Sequence, residues 1–143
     1  MPWSARLTRW IARLWALPTT ALGALLLGVA VVTGGRAALV HGVLEAHGGW
    51  VRPVLENLPV GGGGVIALTL GHVVLGTDAA TLERSRTHER VHVAQCERWG
   101  PFFLPAYALA SLGALLRGRD PYRDNPFERE AFAAEHAEGT PVA

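Results

Sequence analysis

The chain has 143 residues, which is enough for one domain of ordinary size and too few for several. Half of the residues are hydrophobic and only 17% are charged, a composition that excludes intrinsic disorder and favours contact with a membrane. The formal net charge of +1 argues against a nucleic-acid-binding surface. The single cysteine, Cys96, excludes an intramolecular disulfide and a cysteine-rich zinc site.

An uncharged run of about twenty residues, 14–33, is the strongest hydrophobic feature and has roughly the length of a membrane-spanning helix. Arginines and tryptophans precede it or stand at its start, as at membrane interfaces: Arg6, Arg9, Arg13, Trp3, Trp10 and Trp15. This pattern predicts a transmembrane or signal-anchor helix within residues 1–35, with the remaining chain membrane-associated and extracytoplasmic. The alternatives are a cleaved signal peptide, which would give a secreted protein, and a buried core helix.

Short apolar runs broken by glycine follow, and they are typical of strands and turns. The stretch ALVHGVLEA predicts a small hairpin about His41 and Gly42, and residues 65–75 predict a β-strand interrupted at Gly71. The glycine run at 61–64 lacks the Lys and Ser/Thr of a phosphate loop, so it predicts a flexible turn.

The remaining chain predicts three helical segments. The first begins near Thr77 and Asp78, either of which can cap it, and runs to the stop signal Gly100-Pro101. The apolar residues 101–116 are short for a spanning helix and predict a packed or interfacial one. A last helix follows Pro126.

The first of these helices carries an H-E-x-x-H motif, His88-Glu89-Arg90-Val91-His92. Residues four apart project from one face of an α-helix, so both imidazoles can converge on one zinc ion. Glu89 then flanks the metal and can accept the proton of a water that the metal activates, as a metalloprotease requires. The alternative interpretation is a pair of histidines hydrogen-bonded to neighbours on a half-buried helix.

A catalytic zinc ion usually has three protein ligands and an open fourth position, so this motif lacks one ligand. The last helix offers four candidates: Glu128, Glu130, Glu135 and His136. Its periodicity favours Glu128, which shares a face with Phe132, whereas Glu130 is displaced toward solvent.

H-E-x-x-H followed by E-x-x-A on a later helix resembles the gluzincin metallopeptidases, over approximately residues 65–135. The resemblance implies that His88, His92 and Glu128, the last in Glu128-Arg129-Glu130-Ala131, bind Zn2+ and that Glu89 is the general base. The chain departs from the family at Phe132, where many relatives have an Asp or Asn that supports a ligand histidine. Glu135 and Asn125 are the candidate replacements.

The resemblance also implies that the strand before the active-site helix, ALTLGHVVL, pairs with an extended substrate, a general mode of peptide recognition. His72, on or near that strand, and Tyr122, before the last helix, are then candidates for stabilising an oxyanion or contacting substrate. Local hydrogen bonds of a strand histidine and a loop tyrosine are the alternative.

The sequence therefore predicts a small α+β, zincin-like domain at residues 36–138, between an N-terminal hydrophobic segment at 1–35 and a tail at 139–143. We expect zinc-dependent hydrolysis of peptide bonds in a peptide or protein substrate. The alternative is a non-catalytic, membrane-anchored metal-binding or interaction module. So short a chain has little material for a deep cleft, and an oligomer or a partner protein is a candidate to complete one.

Overall fold

The computed structural model describes residues 3–58 and 64–139 and has a mixed α+β fold, as the sequence predicts. The helices are α1 (Trp3–Trp15), α2 (Leu17–Val32), α3 (Val51–Glu56), α4 (Ala79–Arg84), α5 (Arg86–Trp99), α6 (Phe103–Leu116) and α7 (Pro126–Gly139). The strands are β1 (Arg36–Val40), β2 (Val43–His47), β3 (Ala67–Leu70) and β4 (Val73–Gly76). Most of the predicted glycine turn, at 61–63, and the tail at 140–143 lie outside the described residues.

The four strands form one sheet in the order β1-β2-β4-β3. β1 pairs antiparallel with β2 and β3 antiparallel with β4, whereas the central pair, β2 and β4, is parallel. The predicted hairpin about His41 and Gly42 is confirmed as β1 and β2. Both turn residues have positive φ, 49° and 82°, the conformation that a two-residue hairpin turn with right-handed strand twist requires.

The β-structure predicted at residues 65–75 and its interruption at Gly71 are confirmed, but the chain reverses at Gly71 and His72, so the segment forms two strands, β3 and β4, where one was predicted. Gly71 has φ +62°, and a Cβ there would lie 2.5 Å from the backbone nitrogen of Thr20 in α2. Only glycine permits this conformation and this close approach together. The reversal leaves β3 at an edge of the sheet and β4 inside it.

The helix predicted from Asp78 to Gly100 is divided in two at Ser85. Asp78 is the N-cap of α4 and accepts a hydrogen bond from the amide of Thr81 at 2.8 Å, as predicted. The Ser85 hydroxyl donates to the carbonyl of Thr81 at 2.9 Å, and such a bond competes with continuation of the helix. The short helix α3, six residues long, was not predicted because it is too brief to show a helical period.

The apolar run at residues 14–33 does not form one continuous helix. α1 ends at Trp15, α2 begins at Leu17, and the two are bent by 63°. Thr19, Gly23 and Ala30 are buried along one stripe of α2, which packs on the sheet, while its opposite side is exposed. The structure therefore gives this segment a packing role in the domain, which a simple spanning helix would not have.

By length and composition alone, the segment Arg86–Leu116 could cross a membrane, and so could Arg6–Trp15 with Leu17–Val32 if that bent pair were one span. The first segment is folded on itself. In a straight helix His92 and Tyr107 would lie about 22 Å apart, since each residue advances by about 1.5 Å. Their ring centroids are 6.3 Å apart, so α6 packs back against α5 after the turn at Gly100.

Two glycines of α2 test this packing. A Cβ on Gly23 would lie 2.8 Å from the Leu70 carbonyl oxygen and from Val73 Cβ, whereas a Cβ on Gly28 meets nothing within 4 Å. We expect Gly23→Ala to lower the free energy of unfolding by about 1–3 kcal/mol through overpacking. The matched change Gly28→Ala should raise it by up to about 1 kcal/mol, because alanine favours the helix.

Denaturant unfolding of the two detergent-purified variants, followed by circular dichroism, measures the difference. Equal stability of the two variants would show that α2 does not pack on the β3–β4 hairpin.

Candidate metal centre

The H-E-x-x-H motif lies on α5 with its three functional side chains turned into the protein. His88, Glu89 and His92 are each 6% exposed. The two imidazoles are one helical turn apart, and their Nε2 atoms lie 3.2 Å from each other. Helical spacing alone places them on one face, and the packing of α7 against α5 covers that face.

The last helix supplies the carboxylate that meets both histidines, and it is Glu128. Its Oε2 lies 3.0 Å from His88 Nε2, and its Oε1 lies 3.3 Å from His92 Nε2. Glu128 is 3% exposed, whereas Glu130 is exposed, as its predicted position on the helix requires. His88, His92 and Glu128 thus form a buried group that could hold a metal ion, with one ligand atom from each within 4.8 Å of the others.

The separations between these atoms fit a small tetrahedral ion. Bonds of about 2.0–2.1 Å to nitrogen and oxygen place neighbouring donors about 3.3–3.4 Å apart. The two Nε2 atoms are 3.2 Å apart, and each lies near that distance from one oxygen of Glu128: Oε2 is 3.0 Å from His88 and Oε1 is 3.3 Å from His92. The three side chains could therefore share one ion.

Each histidine also has an acceptor on its other ring nitrogen. His92 Nδ1 lies 2.8 Å from Gln95 Oε1, and His88 Nδ1 lies 3.5 Å from Glu135 Oε2. With a metal bound, an acceptor at Nδ1 would hold the proton there and direct the Nε2 lone pair to the ion. Glu135, one of the two replacements that the sequence suggests for the missing support at Phe132, is thus at ion-pair distance from His88. Phe132 instead contacts the His88 ring, at 4.8 Å between centroids.

Gln95 is held in the orientation that this support requires. It is fully buried, and its Nε2 donates to the carbonyl of Phe127 at 3.0 Å and to Glu130 Oε2 at 2.9 Å. Because both donor hydrogens are committed to α7, the amide oxygen faces His92. Gln95 therefore links the orientation of a ligand on α5 to the position of α7.

Asn125 fixes the start of α7 and so the position of Glu128. Its Oδ1 accepts from the amide of Phe127 at 3.0 Å, which caps the helix. Its Nδ2 donates to the carbonyl of Tyr107 at 3.2 Å and to the Ser111 hydroxyl at 2.8 Å. This fully buried side chain therefore ties the first turn of α7 to α6.

The surroundings of Glu128 keep it ionised. Burial opposes ionisation, but the hydrogen bonds with His88 and His92 outweigh it and hold the pKa of the carboxyl to about 2. The Tyr107 hydroxyl donates to Glu128 Oε1 at 2.6 Å, and burial together with that carboxylate raises the pKa of Tyr107. A carboxylate anion beside two imidazoles is the donor set that suits a divalent transition metal.

Glu89 lies beside this group without joining it. Its Oε2 accepts a hydrogen bond of 2.6 Å from the Thr69 hydroxyl on β3. Burial raises the pKa of Glu89, although the neighbouring histidines and Thr69 oppose that shift. The carboxyl group is thus oriented by the sheet and is biased toward holding a proton, which are properties of a group that exchanges protons.

A cavity of about 170 Å³ opens over Glu89 and the three ligands. Its other lining residues are mostly apolar: Leu58, Val65, Ala67, Leu68, Thr69, Phe103, Leu104, Tyr107 and Tyr122. Tyr122, which the sequence suggests as a candidate substrate contact, therefore lines the same cavity as Glu89 and the three candidate ligands. Its pKa is raised, first by burial and then by Glu128 and Glu89.

The structure does not bring His72 to this cavity. It lies in the turn between β3 and β4, where its Nε2 is 2.8 Å from Glu97 Oε1 and its amide donates to Thr20 Oγ1 at 3.1 Å. The predicted oxyanion role of His72 therefore has no support in its position, and the alternative of local hydrogen bonds describes it.

Three contributors were not assigned a role from the sequence: Thr69, Gln95 and Tyr107. Gln95 has a signal, since it lies three residues after His92 on the same helix face. Tyr107 has a weak signal, because a tyrosine within the apolar stretch at 101–116 usually needs a hydrogen-bond partner for its hydroxyl. Thr69 has none, because its contact with Glu89 depends on how β3 meets α5.

No protein-family model, curated protein or solved structure matches the chain. The assignment of a metal centre therefore depends on the side chains and distances given above.

Replacement of a ligand tests the site. We expect about one divalent ion per chain in the unaltered protein and a loss of most of it in His88→Asn, His92→Asn and Glu128→Gln, because two ligands bind far more weakly than three. His136→Asn is the matched control, an exposed histidine of α7 outside the group. Mass spectrometry of metal content after zinc loading and desalting gives the result, and a wild-type protein without metal would reject the site.

Loss of the support to His92 should weaken binding without abolishing it. We expect Gln95→Leu to lower zinc affinity by about 10–100-fold, measured by competition with a chromophoric chelator. Glu130→Ala leaves the Gln95 bond to the Phe127 carbonyl and should change affinity less than about three-fold. Equal effects of the two changes would show that Gln95 does not orient His92.

Proposed function

We propose that the protein is a zinc-dependent peptidase of minimal size, with a zincin-like arrangement of the gluzincin type. The observation that carries the proposal is the convergence of His88, His92 and Glu128 within bonding reach of one ion, with Glu89 beside them at a cavity. Two imidazoles and one carboxylate form the three-ligand set of several catalytic zinc sites, in which the fourth position stays open for the reaction.

Different residues of the cavity have different roles in the proposed hydrolysis. A bound zinc ion supplies Lewis acidity, which activates water near neutral pH and polarises a carbonyl group. Glu89 is placed to accept the proton of the attacking water and to deliver it to the leaving amine. Thr69 fixes one Glu89 oxygen through its 2.6 Å bond and leaves the other oxygen for this exchange.

Tyr122 is the candidate for stabilising charge on the substrate oxygen. It lines the same cavity as Glu89 and the ligands, and its raised pKa keeps the hydroxyl protonated and able to donate a hydrogen bond. Tyr107 lines the same cavity, where its hydroxyl donates to Glu128 Oε1 at 2.6 Å and so supports a candidate ligand.

The substrate that suits this cavity is an extended peptide with an apolar side chain near the scissile bond. Leu68, Phe103 and Leu104 line the cavity and offer no charge to a polar side chain. Among the described strands β3 is at the edge of the sheet, and its residues line the cavity, so its outer side is the candidate for backbone pairing with a substrate. Of the segment ALTLGHVVL, only the first half, which forms β3, can therefore pair with a substrate, because β4 lies inside the sheet.

We place this activity at a membrane, on the exposed apolar sides of the N-terminal helices and α6. The arginines before residue 14 favour a cytoplasmic N-terminus, and if residues 14–33 span the bilayer the centre is extracytoplasmic. The activity then belongs to peptides or proteins near the membrane surface.

A structural metal site is the second candidate, and the small cavity favours it. Its volume of about 170 Å³ is below the range of about 300–1,000 Å³ that is usual for ligand pockets. All three ligands are at most 6% exposed, as in a site that is closed around its ion. In this case the ion would stabilise the packing of α7 on α5, and the protein would act as a membrane-bound interaction module.

Glu89→Gln separates the two candidates. If the protein is a peptidase, this change should keep the metal and lower kcat/KM for an apolar peptide by about 10²–10⁴-fold, because the proton acceptor is lost. Glu97→Gln, on the same helix but bonded to His72, is the matched control and should keep most of the activity. The readout is cleavage of a quenched fluorescent peptide library by zinc-loaded protein in detergent.

Removal of the metal completes the comparison. A peptidase loses its activity in chelator and regains it with zinc, and unchanged hydrolysis by Glu89→Gln would reject the mechanism. A large fall in Tm with chelator, combined with no hydrolysis of any library peptide, would instead support the structural site.

A further inference from the structure

α1 presents an apolar face that is exposed along its length. Leu7, Trp10, Ile11 and Leu14 follow one another at helical spacing and are between 57% and 65% exposed. The smaller Ala12, on the other side of the helix, is only half-buried. The apolar face therefore points away from the domain and is not part of its core.

The charged residues of α1 are all arginines. Arg6, Arg9 and Arg13 lie together along one flank of the helix and are exposed, and the α1 sequence contains no Asp or Glu. The Arg13 guanidinium lies 5.8 Å from the centre of the Trp10 ring. An apolar face bordered by arginine and tryptophan is typical of helices that lie in the headgroup region of a membrane.

The exposed face of α1 continues onto two other helices. Trp15, at the end of α1, contacts Phe102 at the start of α6, with ring centroids 6.1 Å apart. The outer sides of α2 and α6 are also apolar and include Leu25, Val32 and Leu109, which are between 66% and 82% exposed. No charged residue occurs at positions 14–35 or 99–116. Such an extended apolar surface marks an interaction site.

We propose that α1 lies flat in the interface of a bilayer rich in anionic lipid. Leu7, Ile11 and Leu14 enter the acyl region, and the arginines bind the lipid headgroups. This is a different arrangement from the spanning helix that the apolar run alone suggests. The 63° bend after Trp15 and the packing of α2 on the sheet separate the direction of α1 from that of α2.

Anionic lipid is the partner that the charges favour. Arg6 and Arg13, on a helix whose sequence contains no acidic residue, attract phosphate and carboxylate headgroups, and each such charge near the surface strengthens binding by about five-fold. The proposal builds on the membrane placement above but does not depend on zinc or on catalysis.

Spin labels measure the orientation of α1 directly. Single cysteines replace Leu7, Ile11 or Leu14 in the full chain carrying Cys96→Ala, and the labelled protein is reconstituted into vesicles of phosphatidylcholine and phosphatidylglycerol at 7:3. Collisions with oxygen and with a water-soluble nickel complex report the depth of each label. We expect the three labels at nearly equal depth, whereas a label at Arg6 should be more accessible to nickel.

The other orientation gives a distinct result. If α1 ran along the membrane normal, the labels at Leu7 and Leu14 would differ in depth by about 10 Å, since the helix advances by about 1.5 Å per residue. That gradient would overturn the proposal. Shielding of all three labels from both reagents would overturn it too, because it would show that protein, such as a second copy of the chain, covers the face.

The part played by charge has its own matched pair. We expect Arg6→Gln with Arg13→Gln to move the three labels toward water in the same vesicles, and we expect Arg6→Lys with Arg13→Lys to leave them in place. In vesicles of pure phosphatidylcholine, the labels on the protein with its arginines intact should also move toward water. Equal label depth in all these cases would reject anionic lipid as the partner. The labels should also keep their depth in the Glu89→Gln variant, so the outcome does not depend on whether the protein is a peptidase.

Discussion

The structure depends on the burial of two carboxylates and two imidazoles in one small apolar space. Each buried ion costs several kcal/mol of hydration free energy unless partners replace the lost water. Glu128 recovers part of that cost from His88, His92 and Tyr107, whereas Glu89 accepts a hydrogen bond from Thr69 and has its pKa raised by burial, which favours its uncharged form. A divalent cation among the ligands would balance the negative charge. The polar contacts of the core therefore surround a group that could hold such an ion.

The supporting residues explain how so small a protein holds this centre in place. Gln95 ties a ligand on α5 to the backbone of α7, and Asn125 ties the first turn of α7 to α6. The three helices that surround the centre are thus joined by hydrogen bonds from two fully buried amide side chains. In a short chain with a limited apolar core, such bonds supply the orientation that a larger protein obtains from packing.

The candidate metal centre and the apolar surface share α6. One side of this helix carries Phe103 and Tyr107 to the cavity, and another carries exposed leucines such as Leu109 and Leu116. A membrane at that surface would lie one helix away from the cavity. Cys96 belongs to the packing beneath this junction, where burial raises the pKa of its thiol to about 11 and leaves it an unreactive apolar side chain.

Local pattern was enough to predict the elements that have local causes. The His41-Gly42 hairpin, the Asp78 cap, and the shared face of His88 and His92 each follow from spacing of a few residues. Glu128 was favoured over Glu130 by the same helical periodicity, and the structure brings it to the histidines. The reversal at Gly71 was indicated by the glycine but needed its close approach to α2 to be decided.

Tertiary structure decided what lies far apart in the chain. Thr69, Tyr107 and Glu135 reach the centre only because β3, α6 and α7 pack against or around α5, and no short pattern records those contacts. His72 was close to the motif in sequence, yet the turn after β3 directs it to Glu97. Sequence by itself determined which helix faces could carry ligands, because periodicity is a property of the local backbone. The fold alone determined which side chains meet there, because such meetings depend on how separate elements pack.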